Sequence, residues 1–154
     1  MTPAEQVEVG WVRSRGELLG AFAVRENVFY GEQGVPREQE YDGRDDVARH
    51  AVALEPRGGR VIGTLRLLVD GERAKIGRVA VEREWRRRGI ASRMLALAVA
   101  EARAHGCTQV RLAAQVAATE LYRRAGFAVE SDTFEEAGIP HVWMGMTLGG
   151  APSS

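Results

Sequence analysis

The chain contains a single cysteine, Cys107, so no disulfide can close within it, and that usage fits a reducing compartment, the cytoplasm. Long apolar runs are missing too. The longest, Met94 to Ala100, falls far short of the roughly 20 residues that a membrane-spanning helix needs. The N-terminal residues, with Glu5 and Glu8, lack the basic-then-apolar pattern of a secretion signal. Neither a Gly-x-x-x-x-Gly-Lys phosphate loop nor a Gly-x-Gly-x-x-Gly turn after a strand occurs, which argues against a P-loop nucleotidase. Histidine is scarce: His50, His105 and His141 are scattered, and His105-Gly106-Cys107 lacks the companions of a zinc site, so no metal is expected. Charge of one sign is also lacking. With 21 basic and 21 acidic residues the net charge is zero, which disfavours nucleic-acid binding across a whole face.

The chain does have 154 residues, 45% hydrophobic and 27% charged, enough for one core without staples. The reading is one domain over residues 1–148, followed by a short disordered tail, 149–154, rich in Gly, Pro and Ser. Its charges cluster. Arg83, Arg86, Arg87, Arg88 and Arg93 dominate residues 82–93, whereas residues 31–46 carry Glu32, Glu38, Glu40, Asp42, Asp45 and Asp46. A second acidic stretch holds Glu130, Asp132, Glu135 and Glu136. Together these runs suggest separate sites for an anion and a cation.

Alternation over Val7 to Arg13 predicts a strand, and Ser14-x-x-Glu17 a capping box that opens a helix with Leu18, Leu19, Phe22 and Phe29 on its buried face. Residues 31–49 read as a long polar loop, functional or mobile. Strands follow at His50 to Glu55, Arg60 to Val69 and Ala74 to Val81, joined by Pro56-Arg57-Gly58-Gly59 and Asp70-Gly71 turns. Ile90 to His105 is the clearest helix, with Ile90, Ala91, Met94, Leu95, Leu97, Ala98 and Ala102 on one face and Gly106 as its left-handed stop. A strand at Thr108 to Ala113, a short helix at Val116 to Ala125, and strands at Phe127 to Val129 and His141 to Leu148 complete the order. That order implies an α/β fold with a mixed sheet and helices on both faces, not a strictly alternating doubly wound one.

The chemistry concentrates where strand, arginine turn and helix follow one another. Ile76 to Val81 leads into Arg86-Arg87-Arg88-Gly89-Ile90-Ala91, and the helix begins there. Unpaired N–H groups and about half a positive charge at a helix N-terminus attract a phosphate, glycine permits close approach, and arginines add charge-assisted hydrogen bonds. Cys107, at a helix-to-strand handover, reads as a structural thiol.

These residues resemble the GNAT superfamily of N-acetyltransferases. Arg86 to Ala91 matches its Arg/Gln-x-x-Gly-x-Gly/Ala signature, and Arg78-Val79-Ala80-Val81 and Leu121-Tyr122-Arg123-Arg124-Ala125-Gly126-Phe127 match its coenzyme strand and its "LY-x-x-x-GF" helix. Glu32-Gln33, Ala114-Gln115 and Gly138-Ile139-Pro140-His141 are similar to the ElaA-like branch.

The resemblance implies a mostly antiparallel sheet and transfer of acetyl from acetyl-CoA to a primary amine by direct attack. Val79, Ala80 and Val81 would offer backbone groups to the pantetheine arm. Arg86, Arg87, Arg88, Gly89, Ile90, Ala91 and Ser92 would hold the pyrophosphate, and Gln115 would stand where many relatives carry a coenzyme-touching Asn. Tyr122 would be the general acid. The strand Lys75 to Val81 has no carboxylate, where several relatives place a base, so Glu40, Glu136 and His141 remain alternatives for it. The acceptor is a small molecule or peptide amine, expected to be cationic and steered by Glu32, Glu40 or Glu136. No nucleic acid or membrane partner is expected, and the assembly is a monomer or homodimer. A non-catalytic acyl-CoA-binding or sensor domain of the same fold is the competing reading.

Overall fold

The computed structural model describes residues 2–149. Of the tail expected to be disordered, residues 150–154 lie outside the described residues and Gly149 is exposed. The strands are β1 (Glu8–Trp11), β2 (Arg49–Leu54), β3 (Val61–Asp70), β4 (Arg73–Val81), β5 (Gln109–Gln115), β6 (Ala128–Val129), β7 (Phe134–Glu136) and β8 (Ile139–Thr147). The helices are α1 (Arg15–Arg25), the single turn α2 (Arg37–Glu40), α3 (Ile90–Ala104) and α4 (Thr119–Arg124). One sheet runs in the order β1-β2-β3-β4-β5-β8-β6, with β7 also on β8. Among the described residues only β4 and β5 pair in parallel; every other pair is antiparallel.

Alternation along β2 decides which helix covers which face. Ala51 and Ala53 join the cluster containing Met94, Leu95 and Ala98 of α3, whereas Val52 and Leu54 meet Ala21 and Val24 of α1. The two helices therefore lie on opposite faces, as the element order implies. Met94 and Leu95 are fully buried, each contributing roughly 1.5–3 kcal/mol of apolar burial.

Ser14 caps α1: its Oγ accepts from the Glu17 N–H at 3.1 Å. The Glu17 carboxylate reaches back to the Arg13 N–H at 3.0 Å, one residue before the usual capping-box partner. The buried face of α1 differs from the sequence expectation. Leu19 is 56% exposed, and Ala21, Val24, Arg25 and Val28 are buried instead. The reason is close approach. A Cβ on Gly20 would lie 2.6 Å from Val61 Cγ2, so only small side chains fit between this helix and β3.

Two further expectations are corrected. The polar stretch 31–49 is no open loop. A π-helical turn, Glu26–Glu32, extends α1, and α2 follows after Pro36. The acidic stretch 130–136 contains β7, an extra strand on β8.

Counter-ions explain the order of the first stretch. Arg25, wholly buried, donates Nε to Glu40 Oε1 at 2.6 Å and Nη1 to Asp45 Oδ1 at 2.8 Å. Arg66, equally inaccessible, donates Nη1 to Asp42 Oδ1 at 2.8 Å and to Asp45 Oδ1 at 3.1 Å. Acids that suggest a cation site from sequence are the partners of arginines that the fold buries.

Removing one member of a buried ion set leaves an uncompensated charge. Arg25→Met should therefore cost about 3–5 kcal/mol in urea unfolding. Hydrogen bonding from Arg66 holds the Asp42 carboxyl well below the usual carboxylate range. Burial pushes Asp45 up, but hydrogen bonds and charge from Arg25 and Arg66 more than offset it, leaving it lowered as well. Groups depressed in the folded state contribute stability that is fully present above the unfolded value near 3.9 and is lost as pH falls through the folded values. Thermal melts should thus show an acid limb below about pH 4 that shrinks in Asp42→Asn.

Candidate active site

Strand β3 cannot match β4 residue for residue. Thr64 pairs with Ala80 and Arg66 with Gly77, so Leu65 faces both Arg78 and Val79. This bulge puts Arg78 at φ +54°, left-handed for a residue with a side chain. On its other edge β4 pairs with β5 only from Arg73 to Ile76, opposite Gln109 to Leu112. Beyond that point the strands diverge, and a cleft of about 980 Å³ opens between them. Gly77 to Val81 line one wall, and Ala113 and Gln115 the other. The β4 edge facing the gap has no strand partner there and offers backbone groups to an extended, amide-bearing ligand.

The N-terminus of α3 forms one end of the cleft. Arg87 and Gly89 both adopt positive φ, +61° and +79°, and such turns converge successive N–H groups into an anion nest. No side chain caps α3, and the first backbone bond into it is Arg93 N–H to the Gly89 carbonyl. The N–H groups of Ile90, Ala91 and Ser92 thus remain for a ligand. Arg87, Gly89, Ile90, Ala91 and Ser92 all line the cleft.

The flanking arginines are placed differently from one another. Arg86 donates Nε to the Val81 carbonyl at 2.8 Å and both Nη groups to Glu32, at 2.9 and 2.8 Å. Arg88 lies outside the cleft lining, its guanidinium 5.2 Å from the Trp85 ring centre. Arg93 is turned away, donating to the Ala4 and Val7 carbonyls.

Glu32, one of the carboxylates assigned to acceptor steering, is thereby committed to Arg86. That hydrogen bond lowers its carboxyl, burial opposes the shift, and the charges of Arg86 and Arg83 reinforce it. The neighbouring Gln33 exchanges amide hydrogen bonds with Gln115 across the gap, at 3.0 and 3.4 Å.

Tyr122 of α4 lines the cleft with its ring packed edge-on against Phe127, and burial pushes its phenol up to about 12. His141 opens onto the same space from β8. Its Nδ1 lies 2.7 Å from the Ile139 carbonyl. A carbonyl only accepts, so Nδ1 carries the proton and Nε2 keeps its lone pair in the neutral ring. Nε2 stands 3.7 Å from Glu136 Oε2, and Phe134 stacks on the imidazole.

Glu40 also lines the cleft but is 4% exposed and paired with Arg25, and its Oε1 stands 3.6 Å from Arg78 Nε. Its other oxygen, Oε2, is buried without a partner among the described residues. Every residue expected to contact coenzyme or acceptor meets in one cleft except Glu32 and Arg88. Arg78, Lys75 and Arg124 line it as well; Arg78 and Arg124 lie within the coenzyme-strand and helix motifs without an expected role, and Lys75 carries no local sequence signal.

The acetyltransferase (GNAT) domain family model matches residues 28–148. A UPF0039 protein of Mycobacterium tuberculosis is 40% identical over 138 residues, covering 86% of this chain and 83% of its own. An acyl-CoA N-acyltransferase from Pseudomonas aeruginosa superposes with a TM-score of 0.79 at 29% identity, over 92% of this chain and 99% of that one. Escherichia coli ElaA gives 0.76 at 24% identity, over 91% and 99%. A GNAT family acetyltransferase from Elizabethkingia anophelis, solved with acetyl-CoA bound, shares the fold with a TM-score of 0.70 at 15% identity, over 94% and 99%.

A Cβ on Gly89 would meet nothing within 4 Å, so substitutions there separate backbone strain from charge. Gly89→Ala should lose about 1–2 kcal/mol of stability through its positive φ yet keep most acetyl-CoA affinity. Gly89→Glu carries the same strain and adds a negative charge at the nest; calorimetry should show affinity reduced at least about a hundredfold.

Proposed function

The chain belongs to the GNAT acetyltransferase family, and on that footing we propose that it moves acetyl from acetyl-CoA to a primary amine by direct attack, with Tyr122 and His141 handling the leaving group and the proton. The observation that carries this reading is their convergence on the gap between β4 and β5, beside the uncapped α3 N-terminus. Phosphates sit at the α3 nest, and the pantetheine arm follows the bare β4 edge between Gly77 and Ala80. The Val81 carbonyl is already taken by Arg86, so the expected contact there narrows to the preceding residues.

A cationic acceptor first gives one proton to solvent; the neutral amine nitrogen then attacks the thioester carbonyl carbon, a backbone N–H of β4 stabilises the oxyanion, and the carbon–sulfur bond breaks as the amide forms, releasing coenzyme A as its thiolate. The ammonium of the tetrahedral species gives its proton to His141 Nε2, and Glu136 supplies the counter-charge for the resulting imidazolium. Of the three candidate bases, His141 is favoured because Glu40 is buried and its Oε1 is occupied by Arg25 and Arg78. Glu136, 57% exposed, is the carboxylate left to steer a cationic amine toward the site.

Tyr122 remains protonated at neutral pH. A thiol's reference pKa is near 8.5, so a phenol raised to about 12 donates a hydrogen bond to the departing thiolate more readily than it surrenders the proton. Direct attack is favoured over an acyl-enzyme route because Cys107 is absent from the cleft lining, buried against the Gly71 carbonyl, with its thiol pushed up by burial.

Turnover of acetyl-CoA, followed by thiol release with a broad amine panel, tests the reading; no acceleration by any amine would overturn it. Tyr122→Phe should lower kcat about 10²–10³-fold with little change in acetyl-CoA affinity, the range for a donor aimed at developing negative charge. His141→Gln should lower kcat about 10²–10⁴-fold, and unchanged rates at saturating amine would move the base elsewhere.

A further inference from the structure

We infer that the acceptor carries a carboxylate close to its amine, as an amino acid does, and that Lys75 binds that carboxylate. The inference rests on the transfer reading above and concerns the same cleft. Lys75 is the only lysine among 21 basic residues. A chain that uses arginine everywhere else keeps a compact ammonium at one place, and that place lines the acceptor end of the cleft.

The Lys75 ammonium has no carboxylate within 4.0 Å among the described residues, and it lies 5.3 Å from the centre of the Trp143 ring. The aromatic face holds it in position without neutralising it. Its surroundings carry both signs. Burial lowers its pKa, Glu136 opposes that, and Arg66, Arg78 and Arg44 lower it further. With no carboxylate in contact, the ammonium gains from an anion that arrives with the substrate.

The opposite charge is at the same end. Glu136 faces His141 there, and the unpartnered Oε2 of Glu40 is buried in the same lining. The cleft thus presents a positive group, Lys75, and a negative one, Glu136, that do not close on one another. That arrangement complements a zwitterion: ammonium toward Glu136 and His141, carboxylate toward Lys75. A simple polyamine would fill the negative half and add charge to the positive half, which disfavours it.

The test compares amino acids with their carboxamides, in wild type, Lys75→Met and Lys75→Arg. Two readouts are taken: kcat/KM by thiol release, and calorimetric binding in the presence of coenzyme A, which cannot react. Wild type should prefer the acids by about tenfold or more, the value of a charge-assisted hydrogen bond. Lys75→Met should bring the acid-to-amide ratio close to one, and Lys75→Arg should retain part of it. Equal handling of acids and amides by wild type, or a ratio unchanged in Lys75→Met, overturns the inference. If thiol release fails with every amine, binding still decides. A carboxylate preference lost in Lys75→Met supports the Lys75 assignment while sinking the transfer reading, and no preference sinks the assignment itself.

Discussion

The residue that β3 cannot match in β4 is the constraint from which the site follows. The bulge holds Arg78 in a left-handed conformation, which costs a residue with a side chain about 1–2 kcal/mol. Arg78 helps offset that cost itself, donating Nε to the Glu40 carbonyl at 3.0 Å and Nη2 to the Gln39 carbonyl at 3.2 Å. Those carbonyls sit in α2, which Arg25 anchors through the Glu40 side chain. The bulge, the docked turn and the buried arginine therefore stand or fall together. The splay of β4 from β5, the bare β4 edge and the place of Glu40 in the lining all depend on them.

Such a network is a poor source of stability as such. Replacing buried ion sets by well-packed apolar residues is often neutral or stabilising, because desolvation consumes most of the Coulomb attraction. Its value here is positional. Apolar residues at 25, 40, 66 and 78 could fill the same volume, but they could not fix α2 against the bulge at named carbonyls. The zero net charge of the chain conceals this division of labour. Much of its acidic excess in residues 31–46 neutralises interior arginines, and Glu136, an exposed carboxylate of the cleft, comes from the other acidic stretch.

Local features were legible in the sequence. The end of the cleft proposed to hold phosphate is a contiguous strand, turn and helix N-terminus, so its spacing appears within residues 76–92. Tyr122 stood out by its own motif, and the element order implied helices on both faces. Features that depend on distant partners were hidden. Glu32 meets Arg86 across 54 positions and Gln33 meets Gln115 across 82, distances over which no periodicity carries information. Hence Glu32 read as a free steering carboxylate, and Arg86 as a free phosphate ligand. The face of α1 misled for a steric reason: hydrophobicity favours Leu19, whereas the close approach of Gly20 to Val61 admits only small side chains. Lys75 is legible only by contrast, as an exception to an arginine-rich composition, and only its place in the fold gives that contrast meaning.

The splay also sorts the chemistry in the proposed transfer. One carbon must receive an amine and release a thiolate, and the group that removes a proton has to differ from the group that supplies a hydrogen bond. Tyr122 belongs to the core cluster that contains Met94 and Leu95, and burial pushes its phenol further up, to about 12, so it stays protonated. His141 stands on β8, its Nδ1 fixed by the Ile139 carbonyl and its free Nε2 turned toward Glu136. Two titratable groups in contrasting surroundings acquire opposite roles. Closing the gap between β4 and β5 would bring these surroundings together and remove the contrast. The bulge that opens the cleft is for that reason part of the acid–base arrangement as well as of the binding site.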